Sequence, residues 1–193
     1  LSRQVVAYQL KQLKQKSIED GAEEVLIELT KPDKEVELQF NELCSWLWDG
    51  ANILRGPVEH ADFKTYLFPL LFLKRINDVW GDEHQSSIEE LGSDFPENHR
   101  FNIPEGVRWS DIRSASSNIG VAIQKSMREI ESKNPSLEGI FGDAQWTNKE
   151  RFTDELLKDI IEHFSKYNLG QSVSKNDIIG QAYEWAIKKF GYE

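Results

Sequence analysis

The sequence predicts a mainly α fold, a bundle of about five to seven helices joined by irregular connecting loops. Two observations predict this class. Apolar residues recur at helical spacing in several separate stretches, and no stretches show a convincing set of the strict apolar–polar alternation typical of half-buried strands. With 193 residues, the chain is also long enough to enclose a single hydrophobic core.

The first part of the chain, residues 1–35, is predicted to be an N-terminal extension of unknown role. Within it, residues 1–20 predict an amphipathic helix that Gly21 ends. Residues 36–193 are predicted to form the helical domain itself. The chain begins with Leu1 rather than Met, as expected of a piece of a longer protein.

The first helix of the domain is predicted to begin near Val36 and to end before Gly56 and Pro57. Cys44 lies on its apolar stripe, so we expect a core residue and not a nucleophile. The whole stripe comprises Val36, Phe40, Leu43, Cys44, Leu47, Ala51 and Leu54.

The second helix contains the sequence FKTYLFPLLFLKRINDVW, residues 63–80. It is apolar on more than one face, which predicts a helix packed centrally among others, with a kink at Pro69. Two interpretations fit its polar continuation. Lys74 and Arg75 form a solvated basic end that complements the helix dipole, or Lys74, Arg75 and Asn77 face a phosphate backbone or an acidic partner.

The rest of the chain predicts an irregular connection over residues 92–110 and three further helices. Each helix carries apolar residues at helical spacing and stops before a residue that disfavours helices. These helices are residues 112–130 before Asn134 and Pro135, residues 152–167 before Gly170, and residues 179–190 before Gly191.

The composition excludes several classes of protein. The chain has 23 basic and 33 acidic residues, a net charge of −10, which argues against duplex-DNA binding by this chain alone. One cysteine allows neither an internal disulfide nor a multi-cysteine zinc site, so a cytoplasmic protein is expected. No apolar run approaches the roughly 20 residues of a membrane span, and no signal-peptide pattern is present, so no membrane partner is expected.

No arrangement of residues in the sequence indicates catalysis. Asp159 and His163, one helical turn apart with Glu155 a further turn back, are the best metal candidates, but an exposed ion pair explains the spacing equally. We therefore predict no catalytic, cofactor-binding or metal-binding residue. The four histidines are isolated from one another in sequence: His60, His84, His99 and His163.

Residues 40–80 closely resemble the N-terminal helical domain of modification (M) subunits of type I restriction–modification systems. The resemblance extends in order over roughly residues 38–191. It rests on Leu47-Trp48, Ala51, Leu54-Arg55-Gly56, Tyr66-Leu67 and residues 70–75, then on Arg100-Phe101, Ile103-Pro104, Trp109, residues 137–141, residues 164–169, Ala182-Tyr183-Glu184 and Phe190.

The resemblance implies that the full-length subunit is an S-adenosylmethionine-dependent adenine-N6 DNA methyltransferase. In this family a C-terminal α/β domain holds the cofactor and the flipped adenine. The Gly-rich loop and the Asn-Pro-Pro-aromatic motif of that domain are absent here, since Asn134-Pro135 continues as Ser136. We therefore expect the helical module without the active site, with no cofactor and no activity of its own.

The resemblance also implies partners. The module is expected to assemble with the specificity subunit and to close over DNA, in a complex that also holds a second M subunit and the restriction subunit. Trp46 lies off the main stripe of its helix and fits an exposed contact residue, or else packs against another helix. The candidate residues for DNA or partner binding are Arg55, Lys74, Arg75, Asn77 and Trp46.

Two other functions remain open from the sequence. One is a free-standing helical interaction module that shares this bundle. The other is a small metal-dependent hydrolase that uses Asp159 and His163.

Overall fold

The computed structural model describes residues 39–170 and 178–191. Over these residues it has six α-helices and no strand, which confirms the predicted mainly α bundle. The predicted extension, residues 1–35, lies outside the described residues. The helices are α1 (Phe40–Leu54), α2 (Phe63–Leu91), α3 (Trp109–Ser114), α4 (Ile119–Lys133), α5 (Asp154–Phe164) and α6 (Ile178–Gly191), and short 3-10 helices span His60–Asp62, Pro96–Asn98 and Pro135–Leu137.

Helix α2 lies at the centre of the bundle, as its sequence predicts. It contacts α1, α3, α5 and α6. Each fully buried Leu or Ile side chain contributes about 1.5–3 kcal/mol relative to an exposed one. The buried apolar side chains of α2 point in several directions: Phe63, Tyr66, Leu67, Phe68, Leu70, Leu71, Leu73, Ile76 and Val79.

Helix α2 is longer than its apolar sequence indicates. It continues through Pro69 and past Trp80 to Leu91, where Gly92 takes a left-handed conformation (φ 75°) and donates its N–H to Ile88 O at 3.0 Å. The added residues are largely exposed or half-buried. No helix in the described part of the chain is both long and apolar enough to cross a bilayer.

Helix α1 begins at Phe40, later than the predicted start near Val36. Gln39 is extended (φ −82°, ψ 154°), and its backbone N–H donates to Glu42 Oε2 at 3.0 Å, so the helix is capped there. Val36 itself lies outside the described residues; over the described part of the predicted stripe, Leu43, Leu47 and Leu54 are fully buried. Cys44 is buried too, and burial raises the pKa of its thiol, as expected of a core cysteine.

The single helix predicted over residues 112–130 is wrong, because the chain forms α3 and α4 with a break between them. Asn118 takes a left-handed conformation (φ 54°) that interrupts the helix. The Asp154 carboxylate, at the start of α5, accepts hydrogen bonds from the N–H groups of Asn118 (2.9 Å) and Ile119 (2.8 Å). These bonds satisfy two donors at the start of α4 from outside its own sequence.

Two close contacts join elements that are distant from each other in sequence or separated by a loop. Gly120 on α4 approaches the loop after α4 so closely that an added Cβ would lie 2.1 Å from Trp146 O. Phe190 of α6 stacks on Trp48 of α1 with ring centroids 5.8 Å apart and meets Phe63 edge-on. Helix α5 ends at Phe164, three residues before its predicted end.

Candidate interaction site

The polar run of α2, residues 74–78, lies inside the protein. Lys74 forms an ion pair with Asp78 one turn later, and both side chains are largely buried. The Lys74 Nζ group also donates a hydrogen bond to Tyr167 O at 2.9 Å. A buried charge is tolerated when it is paired and hydrogen-bonded, and this lysine is both.

Arg75 and Asp78 hold the chain that leaves α5. The Arg75 guanidinium donates from Nη1 to the carbonyl oxygens of Leu169 and Gly170. Asp78 Oδ2 accepts a hydrogen bond from Leu169 N at 2.7 Å. The polar run therefore binds the backbone of residues 167–170 through two donors, Lys74 and Arg75, and one acceptor, Asp78.

Asn77 joins α2 to the start of α3. Its Nδ2 group donates to Leu73 O at 2.8 Å, and its Oδ1 accepts from Trp109 N at 2.8 Å. Trp109 then donates from Nε1 to Ser165 Oγ at 2.8 Å, just past the end of α5. One amide side chain thus satisfies a backbone donor at the first turn of α3.

Burial dominates the electrostatics of the polar run. It lowers the pKa of Lys74 and raises the pKa of Asp78, and in each case the charge of the partner opposes the shift. Burial also lowers the pKa of Arg75. The attraction between Lys74 and Asp78 is therefore needed to keep either charge inside the bundle.

The expected exposure of Lys74 and Asn77 is wrong. Both side chains are buried, and Arg75 is half-buried with its guanidinium bound to backbone carbonyls. The physical reason is the length of α2: the run lies in mid-helix and faces α3 and the chain after α5, so it is not a solvated end. Arg55, the residue that follows α1, is exposed as a surface contact requires.

Trp46 also lies in the interior, which confirms the alternative that it packs against another helix and rules out an exposed contact residue. Its side chain is only 4% exposed and packs between α1 and α5. The indole stacks on His163 (5.6 Å between centroids) and contacts Phe164 (4.7 Å). Trp46 Nε1 donates to His163 O at 3.0 Å, and His163 Nε2 donates to Trp46 O at 2.8 Å. The face of α1 that carries Trp46 is therefore covered by α5.

The contacts of His163 with Trp46 also decide whether Asp159 and His163 are arranged to bind a metal ion. Burial lowers the pKa of His163, with the hydrogen bond to Trp46 opposing it, so the ring is neutral and its Nε2–H is used by the Trp46 carbonyl. Asp159 is exposed beside the Arg113–Glu162 ion pair (2.7 Å) in an open cleft. Among the described residues this pair belongs to no group of three potential metal ligands.

Two histidines that are isolated in sequence meet in the structure. His84 Nδ1 lies 2.9 Å from Asp94 Oδ2, and His99 Nε2 lies 2.7 Å from Asp94 Oδ1. We call His84, Asp94 and His99 the histidine cluster. Sequence reasoning missed it because no metal-binding spacing joins these residues, and the turn at Gly92 that brings them together follows the unpredicted extension of α2.

The end of α2 also carries exposed apolar side chains. Ile88 (42% exposed), Leu91 (58%) and Phe95 (41%) are three of the five large apolar residues exposed in the described part of the chain. Ile88 and Leu91 lie three residues apart and share a helix face. We call these three residues the apolar tip. Val121 and Ile187, the other two, lie on α4 and α6.

Comparison with known proteins gives one family. The profile described as HsdM N-terminal domain matches residues 43–164, more than half of the chain, from α1 to the end of α5. The match includes the whole of α2 with its polar run. No curated protein matches the chain. The chain belongs to the family of N-terminal domains of the modification subunit (HsdM) of type I restriction–modification systems.

Proposed function

We propose that this chain is a non-catalytic assembly domain that binds the specificity subunit and helps the type I complex close on DNA. The observation that carries the proposal is the family match over residues 43–164. The full-length subunit is proposed to methylate adenine at N6, with S-adenosylmethionine bound in another domain. A second M subunit and the restriction subunit are proposed as further members of this cytoplasmic complex.

The charges of the chain favour a role beside a DNA-binding partner. The net charge is −10, and the polar run that offers adjacent cations is used inside the bundle. Duplex binding depends on cations that neutralise phosphates, so most of these contacts are assigned to the specificity subunit. Arg55, which is exposed, stays a candidate for a single phosphate or partner contact.

The apolar tip is the surface we assign to the specificity subunit. Interfaces have an apolar centre that excludes water, and exposed large apolar side chains grouped together mark such surfaces. Ile88 and Leu91 share one face at the end of the longest described helix, and Phe95 follows four residues after Leu91. The tip lies at the opposite end of α2 from the residues that form the core.

Co-purification with the specificity subunit of the same system tests this assignment. The variant Ile88→Ser/Leu91→Ser is expected to bind at least about tenfold more weakly, a loss of about 1.4 kcal/mol or more. Val121→Ser is the matched control, because Val121 is similarly exposed but lies on α4. Equal binding by the wild type and the double variant, with circular dichroism unchanged, would contradict the assignment.

A further inference from the structure

The histidine cluster joins three separate parts of the chain. His84 lies on α2, Asp94 lies in the turn after Gly92, and His99 follows the short helix Pro96–Asn98. Each residue offers one ligand atom, and these atoms all lie within 4.8 Å of one another. Imidazole nitrogen and carboxylate oxygen are the usual ligands of Zn²⁺ and related divalent ions.

An aromatic ring fixes the orientation of both imidazoles. Trp80 stacks on His84 (4.8 Å between centroids, 15° between planes) and on His99 (5.1 Å, 20°). The guanidinium carbon of Arg108 lies 4.1 Å from the centroid of the same indole. The two rings are therefore held nearly parallel, with one nitrogen of each directed at the Asp94 carboxylate. Such fixed rings lose little side-chain entropy when they bind an ion.

The second ring nitrogen of His99 is buried and lies near another carboxylate. The His99 side chain is 4% exposed, and its Nδ1 is buried without a hydrogen-bond partner. That nitrogen lies 4.0 Å from Glu83 Oε2, and Arg100 fixes the Glu83 carboxylate through its backbone N–H (2.9 Å) and its Nε (2.6 Å). When Nε2 binds an ion, the proton of the neutral ring is on Nδ1, beside the Glu83 carboxylate, an arrangement like the outer shell of zinc sites.

Without an ion, the Nε2–H group of His99 donates a hydrogen bond to Asp94 Oδ1 at 2.7 Å. A divalent ion can replace that proton, because the imidazole nitrogen and the carboxylate oxygen each offer it a lone pair. His84 Nδ1 is in a similar position, because it lies 2.9 Å from Asp94 Oδ2 but makes no aligned hydrogen bond. One carboxylate therefore faces two imidazoles, and a single divalent ion satisfies all three groups.

We propose that His84, Asp94 and His99 bind one divalent transition-metal ion of the Zn²⁺ class. Zinc bonds of about 2.0–2.2 Å in a tetrahedral arrangement place ligand atoms about 3.4 Å apart. The present ligand atoms all lie within 4.8 Å of one another, so small shifts of the side chains are enough to reach that spacing. Three protein ligands leave a fourth position to water. The ion fastens residues 94–99 to α2.

Calorimetric titration of the untagged 193-residue chain with ZnCl₂ at pH 7.5 tests the proposal. We expect one ion per chain, and at least tenfold weaker binding by Asp94→Asn and by His99→Gln. Glu97→Gln is the matched control, since Glu97 is an exposed acid in the same segment and outside the cluster. Substitution with Co²⁺ should give the visible absorption of a low-coordinate site in the wild type and in Glu97→Gln.

The melting temperature provides a second test, which does not depend on whether the variants fold well enough for calorimetric titration. Zn²⁺ should raise the melting temperature of the chelator-treated wild type and of Glu97→Gln, and should leave that of His84→Gln unchanged. The proposal is overturned if the wild type binds no stoichiometric Zn²⁺. It is equally overturned if Asp94→Asn and His99→Gln, folded by circular dichroism, bind the ion as tightly as the wild type.

Discussion

Among the described residues, Lys74 and Lys125 each form an ion pair with an acidic residue one helical turn later, in opposite environments. The Lys74 and Asp78 side chains are 5% and 15% exposed, whereas those of Lys125 and Glu129 are 57% and 43% exposed. In both pairs the two residues are four positions apart, so their spacing in the sequence does not distinguish the buried pair from the exposed one. The difference comes from the neighbours of each helix, since α2 is enclosed by other helices and α4 has a solvated face.

Removing each lysine should therefore have very different costs. Lys74→Met leaves the Asp78 carboxylate buried without its cation, and we expect a loss of about 3 kcal/mol in the free energy of unfolding. Lys125→Met removes an exposed pair and should cost less than about 0.5 kcal/mol. Urea unfolding monitored by circular dichroism gives both values. Comparable small losses in the two variants would show that the polar run is not an internal contact.

His163 makes the stability depend on pH. Its pKa in the folded protein is lowered by burial from the ordinary value of 6.5, so below pH 6.5 the unfolded chain takes up a proton that the folded one does not. The free energy of unfolding should fall as the pH drops from 7.5 to 5.5. His163→Gln should remove this part of the slope, as measured by urea unfolding at both pH values. An unchanged slope in the variant would contradict a buried neutral His163.

At the scale of the element, two helical glycines differ in what surrounds them. A Cβ at Gly120 would meet Trp146 O at 2.1 Å, whereas a Cβ at Gly81 would meet nothing within 4 Å. Both residues lie inside helices, where alanine is favoured over glycine by about 1 kcal/mol. The two positions differ only in that a Cβ at Gly120 would meet a backbone carbonyl, which cannot move aside by changing a rotamer.

Substitution by alanine should change stability in opposite directions. Gly120→Ala is expected to lower the free energy of unfolding by about 1–2 kcal/mol, because overpacking outweighs the gain in helix propensity. Gly81→Ala should raise it by about 0.5–1 kcal/mol. Thermal and urea unfolding of the two variants measure both. A stabilised Gly120→Ala protein would show that α4 does not approach the loop at Trp146 as closely as described.

The distribution of apolar residues predicted four of the six described helices well. It identified α1, α2, α5 and α6 but merged α3 with α4, because Ile112 and Ile119 are seven residues apart, two helical turns whether or not the chain between them is helical. The break depends on Asp154, which is distant in sequence. The exposed extension of α2 carries no apolar stripe, so its length was not predictable either.

At the scale of the whole molecule, the sequence predicted the core better than the surface. The apolar residues of α2 are buried as their pattern indicates. Lys74 and Asn77 were expected at the surface but are buried, because elements distant in sequence cover them. Trp46 packs against α5, one of the two alternatives that its position allowed. The histidine cluster depends on a turn between distant residues, and no local signal reveals it.

We propose an assembly domain in which residues 66–79 form the buried centre and the far end of α2 forms the partner surface. Amide hydrogen exchange of the chain, with and without the specificity subunit, tests it most directly. We predict that residues 66–79 exchange slowly in both states and that protection rises at residues 85–100 on binding. Fast exchange at 66–79 in the free chain, or no gain at 85–100 in the complex, would contradict the account.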